Sequence, residues 1–246
     1  MNLDTLYTKI EQTKKKLDNH RPLTPAEVAR LREDFIIENT YNSNAIEGNT
    51  LTLRETAMVL RGITIDKKPL REHLEATQHR DAFHYICELV TNNAPLTESV
   101  IKQIHSVILN DRPSDRGTYR RVPVRIMGSD LVPPEQSKIQ ELMTEIITEY
   151  TKAKPTIRDI ATLHVKFESI HPFIDGNGRT GRMLSNLELM KSGYPPVDIK
   201  YTDRREYYDA LAEFDRTKKT ERFEIMFAGY ILKELEKLVT ILSPSK

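Results

Sequence analysis

Twelve residues, His171-Pro-Phe-Ile-Asp-Gly-Asn-Gly-Arg-Thr-Gly-Arg182, bring together an imidazole, a carboxylate, a Gly-Asn-Gly turn and two arginines. Packing alone does not require that density of chemistry, whereas a phosphate site does. Gly176 and Gly178 flank Asn177, so the backbone can approach an anion closely, and such turns form nests of N–H groups. Arg179 and Arg182 are three apart, share a helical face and can fork onto phosphate oxygens. Asp175 is a hard oxygen ligand, suited to a Mg²⁺ that bridges phosphates and keeps most of its waters. His171 titrates near neutrality and can take a proton from an attacking hydroxyl. Singly, each residue is as well explained by a surface loop with a capping aspartate and solvated arginines; the set in this order is not.

The elements on either side must present this loop. Ile160, Leu163, Phe167 and Ile170 recur at helical intervals, which predicts a helix over 157–170 with one buried stripe. Pro172 ends it. A residue before proline is pushed towards extended angles, so His171 is expected just past the helix end, presented rather than packed. From Arg179 the chain reads as helical again, with Met183, Leu184, Leu187 and Met190 on one face and Gly193 as the stop. The loop therefore feeds a helix N-terminus, where free N–H groups and the positive end of the dipole attract anions.

His171-Pro-Phe-x-Asp175-Gly-Asn-Gly-Arg179-x-x-Arg182 resembles the signature of Fic-domain proteins, and His164, Phe167, Glu168 and Ile170 fit the helix that precedes it in that family. Every motif position matches, and flanking similarity runs through about residues 40–230. The resemblance implies an all-α Fic-fold helical bundle with one short β-hairpin flap. It implies a single Fic domain over 1–246, with a helical extension to about residue 50 and a core over about 51–240. The implied activity is transfer of AMP from ATP to a Ser, Thr or Tyr hydroxyl of a target protein. In that reading His171 is the general base and Asp175 holds Mg²⁺. Gly176, Asn177 and Gly178 form the anion hole, and Arg179 and Arg182 grip the nucleotide phosphates.

Ahead of that core, Leu3, Leu6, Ile10 and Leu17 predict a helix over 3–18, and Thr24-Pro25-Ala26-Glu27 is a capping box that opens another. Val28, Leu31 and Phe35 are expected inside. Residues 38–44 are then a polar run of poor helix formers. If the helix reaches Glu47, with Gly48 as its stop, Ser43 and Glu47 share a face and the hydroxyl can hold the carboxylate. Spacing alone fits a frayed helix end equally well. By the family resemblance, Ser43-x-x-x-Glu47-Gly48 matches an inhibitory motif in which Glu47 pairs with Arg182 and blocks seating of the ATP γ-phosphate. The same carboxylate could instead orient a water that removes AMP from a modified hydroxyl. A nucleotide-binding regulator without turnover is the reading from another class, against which an intact His171 argues.

Further along, Thr52 and Glu55 form a second capping box for a short helix closed near Gly62. Pro69 starts a helix to about Val90, and Thr97 caps one with Val100, Ile101, Ile104, Val107 and Ile108 inward. Val122, Val124 and Ile126 alternate at strand spacing before the turn Gly128-Ser129-Asp130 and Pro133-Pro134, which predicts a β-hairpin. An open hairpin edge can pair with an extended peptide, or the hairpin can simply cover the core. In Fic proteins the matching segment, here with Gly117, Tyr119, Arg120, Pro133 and Pro134, is a flap; Val124, Arg125 and Ile126 are its expected target-binding residues. Helices are also expected at about 134–153, 203–215 and 221–241. Tyr207 and Tyr208, with Leu211, could wall an adenine or merely fill the core. Asp215 stands where relatives often carry an asparagine that helps hold the base.

Composition narrows the rest. Lys and Arg total 37 against 36 Asp and Glu, a net charge of +1, so no basic excess points to nucleic acid or a membrane surface. The one cysteine, Cys87, excludes an internal disulfide, and its apolar neighbours suggest a buried thiol. The spacing of His73, His79 and His84 does not put all three on one helix face, which argues against zinc. With no signal peptide and no long apolar run, a soluble cytoplasmic protein is expected. The C-terminal segment to Lys246 also leaves no expected place for an appended DNA-binding winged helix. Self-modification and a homodimer stay open.

Overall fold

Thr24, Thr52 and Thr156 each accept, through the side-chain hydroxyl, the N–H of the third residue on, and Glu27, Glu55 and Asp159 reach back to the cap residue's own N–H. These reciprocal bonds satisfy donors that a helix start otherwise leaves open, and they fix where three of the helices begin. The computed structural model describes residues 2–20, 22–125 and 132–243. The order of helices is α1 (Leu3–Asp18), α2 (Pro25–Ile46), α3 (Leu53–Leu60), α4 (Leu70–Thr91), α5 (Glu98–Ile108), α6 (Ile139–Tyr150), α7 (Ile157–Ile170), α8 (Asn177–Lys191), α9 (Arg204–Thr217) and α10 (Glu221–Leu242). Short 3₁₀ turns at Gln136–Lys138 and Tyr201–Asp203 lead into α6 and α9.

Helix α8 is the hub, packed against α2, α4, α5 and α7, while α1 closes the far side on α10. One core, with Phe167, Leu184, Tyr207, Phe223 and Phe227, fills the space among α7, α8, α9 and α10; a second, with Phe83, Ile104, Ile108, Met183 and Leu187, lies among α4, α5 and α8. The sequence suggested one apolar face for α8. It is enclosed nearly all round instead, with Thr180, Ser185, Asn186 and Glu188 buried beside its leucines. Enclosure on that scale holds the loop before it rigid.

Helix α2 inverts the expectation drawn from its apolar residues. Val28 is 37% exposed and Leu31 and Phe35 are half-buried, while the polar run Asn39, Thr40, Asn42, Ser43 and Asn44 is buried. Tertiary hydrogen bonds explain the inversion. Asn39 and Asn42 donate to the buried Asp198 carboxylate at 3.2 and 2.7 Å, Asn42 Oδ1 accepts the Tyr201 N–H at 2.9 Å, and Thr40 Oγ1 lies 3.1 Å from His79 Nδ1. Partnered polar groups can be buried without penalty, and weak helix propensity is overridden by the surroundings. The helix therefore runs to Ile46, with Glu47 at its C-cap and Gly48 in the left-handed region (φ +96°) that glycine tolerates.

No strand occurs among the described residues, so the expected hairpin is corrected to irregular backbone at 122–125 and 132–135. Its turn, including Ile126, lies outside the described residues. Arg120 ties both legs together: Nη1 donates to Val122 O at 3.3 Å and Nη2 to Pro134 O at 2.6 Å. Cys87 is half-buried rather than buried, with its thiol pushed up by desolvation. Among the described residues no helix is long and apolar enough to cross a membrane.

Candidate active site

His171 caps the C-terminus of α7 in the left-handed region, φ 51° and ψ 59°, rather than the extended one expected before proline. Its N–H still donates to Phe167 O at 3.0 Å, so the helix is closed by a left-handed cap on a non-glycine residue. That conformation costs on the order of 1–3 kcal/mol and persists only where neighbours over-determine it. Arg120 supplies the restraint: its Nε donates to His171 O, and its N–H to Pro172 O, both at 2.9 Å. Burial pulls the imidazole from its ordinary 6.5 down to about 4, so it is uncharged at neutral pH and has a lone pair to offer.

The loop is then stapled shut from inside. Asn177 accepts the Phe173 N–H through Oδ1 and donates Nδ2 to Phe173 O, both at 2.9 Å. Its amide is thereby committed to the loop, and what it can offer an anion is its backbone N–H. Phe173 is fully buried and stacks on His105 at a centroid distance of 3.6 Å. Gly117 N–H donates to His105 Nδ1 at 2.9 Å, so Nε2 carries the proton and donates to Asp175 O at 3.0 Å. Burial pulls this imidazole also to about 4. No motif in the sequence singled His105 out; its only sequence signal is a histidine among the inward positions of an amphipathic helix.

Gly176 takes φ +75° to turn the chain into α8, which starts at Asn177. Asp175 sits beside the turn with Arg112 at 2.8 Å, Arg179 at 3.2 Å and Arg71 at 3.9 Å, and accepts the Gly176 N–H at 2.6 Å. Burial alone would raise its carboxyl, but these cations and the amide hold it below the ordinary carboxylate range. Among the described residues no cluster of three or more His, Cys, Asp or Glu could bind a metal by itself. Arg179 is buried, and its Nε and Nη1 have no hydrogen-bond partner.

Arg182, expected at the phosphates, is engaged elsewhere. Its Nε donates to Ser43 Oγ and its Nη2 to Ser43 O, both at 2.9 Å, and Nη2 also donates to Glu47 Oε1 at 2.8 Å. Burial disfavours the guanidinium charge, yet Glu47 outweighs it and holds the charge in place. Ser43 thus grips the arginine, not the Glu47 carboxylate as its spacing suggested. Behind Arg182 lies His79, buried, uncharged through desolvation and through repulsion from Arg182 and Arg179.

A cavity of about 370 Å³ opens above the turn, lined by Glu47, Glu168, His171, Asp175, the Gly176–Gly178 backbone, Arg125 at its rim and Tyr207 and Tyr208 on α9. That size suits a small-molecule ligand. Tyr207 is a floor more than a wall: it is buried, and its hydroxyl meets His164 Nε2 at 2.9 Å. Tyr208 is half-buried, under Arg204 at 4.8 Å, with its hydroxyl donating to Ile46 O at 3.3 Å. Of the expected flap residues, Val124 is half-buried and Arg125 exposed. Glu168 gained no role from its position in the sequence. It is buried at the cavity wall with Oε1 unpartnered, and burial pushes its carboxyl up to about 8.

Residues 95–189 match the family model described as Fic/DOC family. The chain is similar to a protein adenylyltransferase Fic of Nematostella vectensis, 34% identical over 213 residues, which are 84% of this chain and 49% of that one. It is similar to the protein of the same name in Culex quinquefasciatus, 36% identical over 193 residues, 76% of this chain and 38% of that one. It thus spans half or less of these curated relatives' length. Among solved structures, a Fic-domain-containing signaling protein of Bacteroides thetaiotaomicron superposes with a TM-score of 0.85 at 25% identity, over 96% of this chain and all of that one. Fic-1 of C. elegans, residues 134–508, gives 0.83 at 27% identity, over 97% of this chain and 73% of that one. With the helix-capping histidine, the stapled glycine turn and the two buried arginines in place along the matched segment, residues 95–189 of this chain form a domain of the Fic/DOC family.

Proposed function

We propose that this chain is a protein adenylyltransferase that moves AMP from ATP to a hydroxyl of a target protein and is held back by Glu47. The observation that carries the reading is an uncharged His171 facing a cavity floored by the N-terminus of α8. The relatives named protein adenylyltransferase Fic, and the match of all motif positions, support the same chemistry.

In this mechanism the ATP phosphates lie on the N–H groups of the Gly176–Gly178 turn, where the helix dipole favours negative charge. His171 accepts the proton of a Ser, Thr or Tyr hydroxyl, whose oxygen attacks the α-phosphorus. The bond to the β-phosphate oxygen breaks, and pyrophosphate leaves against Arg179. Asp175, half-exposed beside the turn, is a single hard carboxylate that fits the Mg²⁺ it would share with phosphate oxygens, and that ion supplies charge neutralisation on the polyphosphate. Arg125 at the cavity rim, and the adjoining legs fastened by Arg120, are where the target main chain docks, as a flap.

Autoinhibition follows from occupancy. The Glu47 carboxylate claims the donor of Arg182 that a terminal phosphate would use, and adds a negative charge where phosphate would sit. The same carboxylate faces the cavity and can orient a water for the reverse task, removal of AMP. Incubation with ATP and Mg²⁺ followed by intact-mass measurement tests the reading: a gain of one AMP on target or on the chain itself is expected, and is lost in His171→Ala. Label retained by His171→Ala takes the base role away from it; AMP released from modified protein by the parent but not by Glu47→Gly supports removal.

A further inference from the structure

Asp175 is held by more cations than its motif supplies. Its Oδ1 accepts the Gly176 N–H at 2.6 Å and an Arg179 N–H at 3.2 Å, so groups of the motif itself use that oxygen. Its Oδ2 is met from outside the motif, by Arg112 Nη1 at 2.8 Å and by Arg71 Nη2 at 3.9 Å. Distance and competition rank the two. Arg71 on α4 is largely exposed and commits its Nε to Glu75 at 2.7 Å, whereas Arg112 forms no other ion pair among the described residues.

The base of Arg112 is fixed while its tip is free to swing. It lies in the turn after α5, where its N–H donates to Leu109 O and its carbonyl accepts the Arg116 N–H, both at 3.0 Å. The neighbouring Asp111 accepts from Gln78 on α4 at 2.9 Å, which fastens the turn to the helix beside the site. The Arg112 side chain itself is 30% exposed.

With two donors on Oδ1, the oxygen left for a divalent cation is Oδ2, and Arg112 already occupies it. Two cations at bonding distance from one oxygen repel each other. We propose that Arg112 exchanges with the divalent cation at Asp175 Oδ2, and so makes uptake of the ion depend on the nucleotide. The inference rests on the nucleotide site proposed above. Without phosphates, an entering ion turns Arg112 out towards water and its ion pair is lost. With phosphates on the turn, the displaced guanidinium has anionic oxygens to fork onto, which offsets that loss. Arg112 is thereby a phosphate-binding residue outside the motif, and by linkage the ion and the nucleotide each tighten the other.

The sign of one measurement separates this from a positioning role. An arginine that only oriented Asp175 would aid the ion, so removing it would weaken binding; removing a competitor strengthens it. The test follows Mn²⁺ by electron paramagnetic resonance in Glu47→Gly chains with and without Arg112→Gln, each with and without a non-hydrolysable ATP analogue. Without the analogue, Arg112→Gln is expected to tighten Mn²⁺ about three- to tenfold, as for loss of a partly exposed ion pair. With it, the two chains are expected to agree within about twofold. Asp175→Asn is expected to abolish the bound signal in both.

Mn²⁺ binding that Arg112→Gln leaves unchanged or weakens overturns the proposal, as does a bound signal that survives Asp175→Asn. An analogue that tightens Mn²⁺ equally in both chains keeps the nucleotide site and removes Arg112 from it. Tightening by Arg112→Gln in chains that bind no analogue keeps the exchange at Asp175 and removes the nucleotide site. Thermal melting confirms that every chain compared is folded.

Discussion

The Glu47 carboxylate accepts a 2.8 Å hydrogen bond from Arg182 while lying so close over Gly178 that a Cβ there would overlap its oxygen. An acidic group from the end of α2 thereby occupies the space directly above the second residue of α8, on the anion-attracting end of that helix. Arg182 Nη1 would also lie 3.0 Å from that added Cβ, so a side chain at 178 would have to displace the tips of Glu47 and Arg182, whatever its own backbone angles.

Glu47→Gly should raise AMP transfer about ten- to a hundredfold. A charge-assisted hydrogen bond in a partly buried site contributes roughly 1.5–3 kcal/mol, and 1.4 kcal/mol is tenfold. Initial rates with α-labelled ATP and Mg²⁺ provide the check; unchanged rates would mean that Glu47 does not restrain the site.

The pH profile of that variant should be flat on its acid side. His171 sits at about 4 when folded against an ordinary 6.5, so acidification from pH 7 to 5.5 leaves it uncharged and able to take a proton. Activity is lost only as pH nears 4. An acid limb in kcat/KM for ATP with its midpoint near 6.5, measured where far-UV circular dichroism shows the fold intact, would contradict the burial argument.

Asp198→Ala should loosen α2, which carries Glu47, without touching the motif. Asp198 is 2% exposed and accepts from Asn39, Asn42 and, at 2.7 Å, from Lys200. Its removal leaves Asn39 Nδ2 without its acceptor and costs Asn42 one of two, Glu38 O at 3.0 Å remaining, at about 1–3 kcal/mol for each bond lost in the interior. Urea denaturation should show a loss of about 2–4 kcal/mol, and basal AMP transfer should rise several-fold as the seat of Glu47 loosens. A stability loss with basal transfer unchanged would place the restraint of Glu47 in Ser43 and Arg182 alone.

Gly181→Ala should destabilise, against the usual rule. Alanine in a helix interior ordinarily gains about 1 kcal/mol over glycine. Here its methyl would overlap the Glu168 carboxyl and come within 3.2 Å of the Phe167 ring, where α8 packs on α7. Overpacking of that kind costs about 1–3 kcal/mol, so the melting temperature should fall. A rise in melting temperature would show that Glu168 can swing aside freely.

Much of this arrangement was legible from local signals. Capping boxes at Thr24 and Thr52, periodic apolar residues and Pro172 are short-range features, and each bounds a helix wherever the rest of the chain lies. The motif from His171 to Arg182 carries its loop-and-helix geometry in its own order of residues. The hairpin failed as a reading because alternation over Val122, Val124 and Ile126 is a weak signal when there is no sheet to receive it. The inside of α2 is not legible from its apolar residues, because Asn39 and Asn42 are buried by Asp198, a residue more than 150 positions away.

The order of residues by itself determined the helices, the glycine turn and the identity of the groups that can do chemistry, because capping, periodicity and proline act within a few residues. Only the folded chain decided that Ser43 and Glu47 close on Arg182, that Arg120 pins His171 in a left-handed cap, and that Arg112 meets Asp175. Those outcomes depend on burial and on bonds between distant segments, and both the charge of a side chain and the partner it finds are properties of that enclosure.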